Sequence, residues 1–323
     1  MAGVAVVGCG HWGKNLVRNF HQLEVLVAIC DARPEVCAQL ETEYPNINIT
    51  PRYEDLLTDP NIDAIVISTP SRMHYNMAKA ALFADKHVYV EKPIATTVTD
   101  AEEMVALAKR LNKTLMVGHL LLYHPVINRL KQLIDEGYLG EIRYIESDRL
   151  NHNPARPDKS VIWDLGPHDL SMMMFLLGQT PSKILSVQGS QTGDDGIVDV
   201  AHIELEFPSG IRGHIHNSWV HPMKQVRLAV RGSKRSAIID DTLPWPEKLK
   251  LSSIDPNEPL EEPEFLRIEP LKLECQHFLN CIETRREPKT DGVNGLEVVR
   301  LLEEAESMLA SLSTLKESLP SSQ

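Results

Sequence analysis

Val4-Ala5-Val6-Val7-Gly8-Cys9-Gly10-His11-Trp12-Gly13 is the stretch on which the fold turns. Its apolar run stops at Gly8, and a helical pattern of apolar positions (Trp12, Leu16, Val17, Phe20) opens behind it. The spacing G-x-G-x-x-G between the two is that of a phosphate-binding turn. The first glycine makes the tight bend, the second lets backbone approach a pyrophosphate, and the third lets the helix lie close on the strand with its N-terminus toward the anion. His11 and Trp12 belong to the same turn and count with Gly8, Gly10 and Gly13 as cofactor-binding residues. Glycine triplets also occur in plain turns, so the context must decide.

That context follows at once. A second apolar run, Val25-Leu26-Val27-Ala28-Ile29-Cys30, ends in Asp31, eighteen residues beyond Gly13 and near the usual spacing of the ribose-binding acid. A carboxylate there accepts from both ribose hydroxyls and repels a 2′-phosphate, which favours NAD over NADP. Arg33 could instead swing onto such a phosphate. The alternative for Asp31 itself is a cap for the helix that starts near Pro34.

The 323 residues exceed one average core, and 42% apolar content is ordinary for a globular chain, so two domains are expected. Forty-five acids against thirty-three bases give a net charge of −12, which argues against nucleic acid or an anionic membrane as partner and leaves small molecules. No apolar run is long enough for a membrane span and the chain enters its first strand directly, so a cytoplasmic protein is expected. Cys9, Cys30, Cys37, Cys275 and Cys281 form no C-x-x-C pair and read as small buried hydrophobes, with neither a disulfide framework nor a zinc site.

Strand and helix patterns alternate through the first third. Helices are expected at about 34–43, 53–57 and 76–83, strands at 47–49, 64–68, 87–90 and 115–117. A further helix opens on a capping box from Thr99 to Glu102. Continuous apolar strands between amphipathic helices mean a parallel sheet covered on both faces, a doubly wound Rossmann domain over 1–122. The remainder, 123–323, is expected to be one α+β domain that binds substrate and builds oligomers. It starts with a helix at 125–136 and a strand at 142–147, then a polar loop and a helix from Pro167 to Leu177. Strands near 184–190, 198–207, 211–219 and 225–239, joined by short turns, give an open, mainly antiparallel sheet. Asp240 to Pro263 reads as a surface loop, two helices close the chain, and the tail 319–323 is expected to fray.

Two segments carry candidate chemistry. Glu91-Lys92-Pro93-Ile94 ends a parallel strand at the carboxyl edge, where ligands of such sheets bind, so Lys92 is aimed at the cofactor crevice unless it is a solvent lysine beside a glutamate. In Trp163-Asp164-Leu165-Gly166-Pro167-His168-Asp169 the proline is tolerated only in a first helical turn. His168 is therefore expected at a helix N-terminus, where the dipole favours the neutral imidazole that can accept a proton.

With these three motifs in order, the chain resembles the Gfo/Idh/MocA oxidoreductases over nearly its whole length. The resemblance implies a Rossmann domain and a C-terminal α/β domain whose open sheet builds homo-oligomers, dimers or tetramers, with a nicotinamide dinucleotide and a sugar as ligands. It implies that Lys92 is catalytic, often before a cis proline, and that Asp164 and His168 face the sugar. Ser68, Thr69, Pro70 and His74 resemble the family's nicotinamide-side loop, with Pro-Ser-x-x-His where Pro-Asn-x-x-His is usual, and Glu91 and Pro93 join them as cofactor-binding. Departures exist: no glycine run precedes Asp164, and Asp169 follows His168 immediately. The segment around Asp164, with Val117-Gly118-His119, Tyr123-His124-Pro125 and Arg149-Leu150-Asn151, looks most like the branch that oxidises the 3-hydroxyl of UDP-N-acetyl-glucosaminuronate. Tyr123, Arg149 and Asn151 are then substrate-binding, with Lys92, Asp164 and His168. Either His168 or Lys92 is the base.

Between Phe207 and Ile239 there is no acid, but Arg212, Lys224, Arg227, Arg231, Lys234 and Arg235 all fall there. Such a stretch either holds a pyrophosphate, lines a subunit interface, or is a solvated strand face. His214 and His216 share a strand face without an acid or thiol nearby in sequence to complete a metal shell, so no metal is expected. The rival functions are a dehydrogenase of a free polyol such as myo-inositol and a non-catalytic NAD-binding sensor.

Overall fold

The computed structural model describes residues 2–152, 160–193, 196–253, 255 and 257–318. The chain forms two compact units, one of Met1–Tyr123 with Ile268–Val299, the other of His124–Arg267 with Arg300–Gln323. This corrects the expectation of a single second domain over 123–323. Residues 268–299 return to the first unit, where Arg18 on its first helix bonds Glu269 and Tyr123 Oη lies 3.0 Å from Thr290 Oγ1.

The first unit is a six-stranded sheet of β1 (Val4–Val7), β2 (Leu26–Cys30), β3 (Asn48–Thr50), β4 (Ala64–Ile67), β5 (His87–Glu91) and β6 (Leu115–Gly118). All pairs are parallel and the order is β3-β2-β1-β4-β5-β6, which is the doubly wound nucleotide-binding order. Every residue of β1, β4 and β6 is buried, as a sheet covered on both faces requires. The covering helices are α1 (Gly13–Gln22), α2 (Pro34–Glu43), α3 (Tyr53–Thr58), α4 (His74–Phe83) and α5 (Val98–Arg110). Helix α5 starts earlier than the capping box suggested. Thr97, not Thr99, is its cap, accepting from Asp100 N–H at 3.1 Å. A hydroxyl two residues upstream meets the same orphan donors with extended backbone already in place.

The second unit opens with α6 (Pro125–Asp135) and the long β7 (Ile142–His152), followed by α7 (Val161–Leu177). The polar loop expected between them shrinks accordingly, and 153–159 lie outside the described residues, as does the tail 319–323. Strands β8 (Lys183–Ser190), β9 (Val200–Glu206), β10 (Arg212–Ser218), β11 (Val220–Gly232), β12 (Arg235–Asp240) and β13 (Leu249–Ser253) complete a sheet of order β13-β12-β11-β7-β10-β9-β8. It is antiparallel except where β10 runs parallel to β7. The run expected from 225 to 239 folds back at Ser233 into two strands. The stretch expected to be a loop over 240–263 holds β13, because Leu249 and Leu251 bury themselves against β12. Helices α8 (Pro270–Thr284) and α9 (Gly292–Ser318) close the chain. Among the described residues no helix is long and apolar enough to cross a membrane.

Candidate active site

In the first unit the candidate residues gather at the carboxyl ends of β1, β4, β5 and β6. Gly8 sits at φ +88, and a Cβ on Gly13 would lie 1.9 Å from the Gly8 carbonyl oxygen, so both glycines are imposed by the backbone. A Cβ on Gly10 would meet nothing within 4 Å. Helix α1 begins with no side-chain cap and no acid in its first turn. An open cradle at a helix start without a side-chain cap fits the pyrophosphate of a dinucleotide. Trp12 closes one side of the turn by donating Nε1–H to Glu91 Oε1 at 2.6 Å.

Asp31 is buried, and all its acceptor positions are engaged. Oδ1 accepts from Arg33 N and Nε at 3.0 and 2.8 Å, Oδ2 from Cys9 N and Arg33 Nη2 at 2.8 Å each. Burial works to raise its pKa, but the Arg33 fork overcomes this and holds the carboxyl below its ordinary range. A ribose that bonds Asp31 must displace Arg33, whose side chain is 52% exposed. Ser68, Thr69 and Pro70 follow β4. The His74 ring ties that loop to the next, with Nε2 at 2.9 Å from Thr69 O and Nδ1 at 2.7 Å from Pro93 O. Since both partners are carbonyls, a neutral ring donates to one of them at a time.

Lys92 follows β5, ahead of a cis bond to Pro93. His119, just past β6, is a residue the sequence reading left out of the site. It is fully buried and neither ring nitrogen has a hydrogen-bond partner among the described residues. Burial, with the Lys92 charge nearby, pushes its pKa down to about 3. A Gly-His pair at the carboxyl end of an apolar strand was the available signal. Tyr123, expected to bind substrate, is packed in the first unit with its hydroxyl on Thr290.

The second unit holds the other candidates on α7. The helix does not start near Pro167 as expected. It starts at Val161, with Pro167 inside it and His168 in its interior. Gly166 makes this tolerable, since it lacks the Cβ that the proline ring would crowd, and Val161, Ile162, Leu165 and Leu170 are buried around it. The helix-dipole argument for a neutral His168 therefore falls. Asp164 and His168, four residues apart, share one face. Asp164 is buried and accepts from Trp219 Nε1 at 3.3 Å. Asp169 turns the other way. Its Oδ1 accepts from Ser147 Oγ at 2.7 Å and Arg149 Nε at 3.1 Å, its Oδ2 from Asn217 Nδ2 at 2.8 Å. Arg149, expected on substrate, is thus a structural partner of Asp169. Asn151 keeps a buried Oδ1 without a partner among the described residues.

Three of the six basic residues of the acid-free stretch pair with acids outside it. Arg212 pairs with Glu206 at 2.9 Å, Arg227 with Asp240 at 2.8 Å and Arg235 with Glu261 at 3.2 Å. The pyrophosphate reading thereby loses three of its six cations. His216 stacks on His202, with ring centroids 4.1 Å apart. Among the described residues no group of three or more His, Cys, Asp or Glu is arranged to hold a metal.

Comparison with known proteins bears on the same residues. Residues 2–119 match the oxidoreductase family with an NAD-binding Rossmann fold, and residues 127–238 match the GFO/IDH/MocA C-terminal domain. The chain belongs to the GFO/IDH/MocA family. It is accordingly an NAD-binding oxidoreductase acting on CH–OH groups. It is 34% identical over 221 residues to the uncharacterized oxidoreductase YdgJ of Escherichia coli, a match covering 66% of this chain and 63% of that one. Identity is 26% over 308 residues to the UDP-N-acetylglucosamine 3-dehydrogenase of Acidithiobacillus ferrooxidans, covering 91% and 93%. A solved structure of that enzyme superposes with a TM-score of 0.86 at 25% identity over 95% and 97% of the two chains. The myo-inositol 2-dehydrogenase of Thermotoga maritima is 25% identical over 256 residues, 74% of this chain and 75% of that one.

Proposed function

We propose that this family member oxidises the 3-hydroxyl of a UDP-linked N-acetylated sugar, UDP-N-acetyl-glucosaminuronate first among them, with NAD as its cofactor. The reading is supported by the near full-length likeness to the UDP-N-acetylglucosamine 3-dehydrogenase, against a shorter shared stretch with the inositol enzyme. It describes a cytoplasmic homo-oligomer assembled through the second unit's open sheet.

Gly8, Gly10, His11, Trp12 and Gly13 hold the dinucleotide with Asp31, the Ser68-Thr69-Pro70 loop and Glu91. The bound dinucleotide supplies the hydride acceptor. Lys92 takes the hydroxyl proton, and as an ammonium it stabilises alkoxide in the reverse direction. Lys92 is taken as the base on its position at the carboxyl edge of the parallel sheet, where ligands of such sheets bind, while the helix-start argument for His168 is lost because that helix begins seven residues upstream of it. Asp164 and His168 orient sugar hydroxyls from one helix face.

NADH formation with a panel of UDP-N-acetylglucosamine, its uronate, free glucose and myo-inositol tests the reading. Activity is expected with the UDP sugars alone, and turnover confined to free polyols would transfer the assignment to the inositol class. Calorimetric titration should give tighter binding of NAD than of NADP. Arg33→Ala should widen that ratio by roughly tenfold, because it deletes the cation paired with Asp31 that could meet a 2′-phosphate. Tighter binding of NADP by the unaltered protein would reverse the cofactor assignment.

A further inference from the structure

Trp219 stands between β10 and β11 with 1% of its surface exposed. An indole buried so deeply needs an acceptor for its N–H group. It finds one in the Asp164 carboxylate, donating Nε1–H to Oδ2 at 3.3 Å. Asp164 is itself 5% exposed and lies in the first turn of α7, one turn ahead of His168. A carboxylate that far from water must be met by donors, and Trp219 supplies one from the sheet.

Both ends of this contact are tied to the same short segment ahead of β9. Val198 O accepts from Val161 N at 2.9 Å, which fixes the start of α7, and Asp199 O accepts from Trp219 N at 2.9 Å. Asp199 is buried in its turn, with Oδ2 accepting from Thr192 N at 3.0 Å. Asn217, two residues before Trp219, donates to Asp169 at 2.8 Å. The end of β10 thus reaches both acids of α7, and the two differ in what they serve. Asp169 takes three hydrogen bonds from the interior, from Ser147, Arg149 and Asn217, and holds the helix to the sheet. Asp164 is the acid that the proposed chemistry turns toward the sugar. An indole N–H only donates, so it holds Oδ2 as an acceptor and restrains the rotation of the carboxylate. The group that such a carboxylate selects from a ligand is a donor, a hydroxyl or an amide N–H.

We propose that Trp219 is a positioning residue for the substrate: its indole N–H holds the Asp164 carboxylate in the orientation that accepts a hydrogen bond from a sugar hydroxyl, so that Trp219 acts on turnover through Asp164. The link to turnover rests on the reading of Asp164 as a sugar-orienting residue. The bond between the two side chains does not.

Two readouts separate the bond from that reading. Protein labelled with ¹⁵N-tryptophan gives four indole signals, from Trp12, Trp163, Trp219 and Trp245, and the one lost in Trp219→Phe is the one to follow. Without any ligand it should move upfield in Asp164→Asn, because a neutral amide oxygen is a weaker acceptor than a carboxylate, while the signals of Trp12 and Trp245 hold still. A Trp219 signal that does not move overturns the bond, whatever the substrate proves to be. The second readout is a double-mutant cycle on kcat/KM, built from Trp219→Phe, Asp164→Asn and the pair, with the sugar that the protein turns over. Trp219→Phe alone should lower kcat/KM by about 10–100-fold, the range for a lost hydrogen bond to a charged group, with NAD affinity unchanged. In the Asp164→Asn background the same substitution should cost under about threefold. A tryptophan that only fills the core would cost the same in both backgrounds, and that result overturns the positioning role. Should phenylalanine, which is smaller, unsettle the fold, 3-benzothienylalanine at position 219 keeps the shape of the indole without its N–H and carries the same expectation. Absence of turnover on every sugar overturns the proposed function and with it the role in turnover, while the indole signal still decides the bond.

Discussion

Lys92→Ala is expected to lower kcat for the oxidised alcohol by about 10²–10⁴ while leaving NAD affinity near its original value. Two independent arguments set the two halves of that result. In the proposed reading the dinucleotide is held by the turn of Gly8 to Gly13, Asp31, the Ser68-Thr69-Pro70 loop and Glu91, none of which requires the Lys92 side chain. The proton, by contrast, has few other places to go. His119 is another imidazole close enough to feel the Lys92 charge, but burial and that charge push its pKa down to about 3, which makes it a poor acceptor near neutral pH. Removing the lysine also leaves Glu91 without its adjacent cation, which drives that acid further toward its neutral form. Steady-state rates alongside calorimetric NAD titration separate the two effects. A variant that turns over at near-normal kcat would remove Lys92 from the chemistry and return the role of base to His168.

The parts legible in the sequence are those set by local rules. The glycine turn, the alternation of buried strands with helices, and the carboxyl-edge positions of Ser68 and Glu91-Lys92 follow from spacing, because a parallel sheet with short connections leaves little freedom in where those residues fall. Pro167 shows where a local rule fails. A missing N–H and a ring clash end most helices, yet here the preceding Gly166 relieves the clash, and the buried side chains around it outweigh one lost hydrogen bond. Other features depend on partners distant in sequence. The basic run of β10 to β12 reads as uncompensated until Glu206, Asp240 and Glu261 are brought beside it by strand pairing and the β13 flank. Trp219 and Asp164 lie 55 residues apart, and nothing in the pattern of β10 marks this indole as the donor to that acid. The return of 268–299 to the first unit is invisible for the same reason.

Asp169→Ala is expected to cost about 3–5 kcal/mol of unfolding free energy, the range for a buried charge stripped of its partner. The Asp169 carboxylate is 0% exposed and takes three hydrogen bonds, from Ser147, Arg149 and Asn217, which hold α7 to β7 and β10. Alanine leaves the guanidinium of Arg149, 12% exposed, without a counter-charge, and leaves the Asn217 amide without its acceptor. Most of the cost comes from those stranded groups rather than from the bonds themselves, because the intact pair gains little over an apolar replacement once desolvation is counted. The double variant Asp169→Leu with Arg149→Met should therefore recover much of the loss, which urea unfolding of the single and double variants would measure. The same comparison tests the role first expected of Arg149. If Arg149→Met alone raises KM for the proposed nucleotide sugar several-fold while Asp169→Ala costs under about 1 kcal/mol, the arginine serves substrate more than the fold. Recovery of stability in the double variant with KM unchanged would fix Arg149 as the internal strut on which α7, and with it Asp164 and His168, is seated.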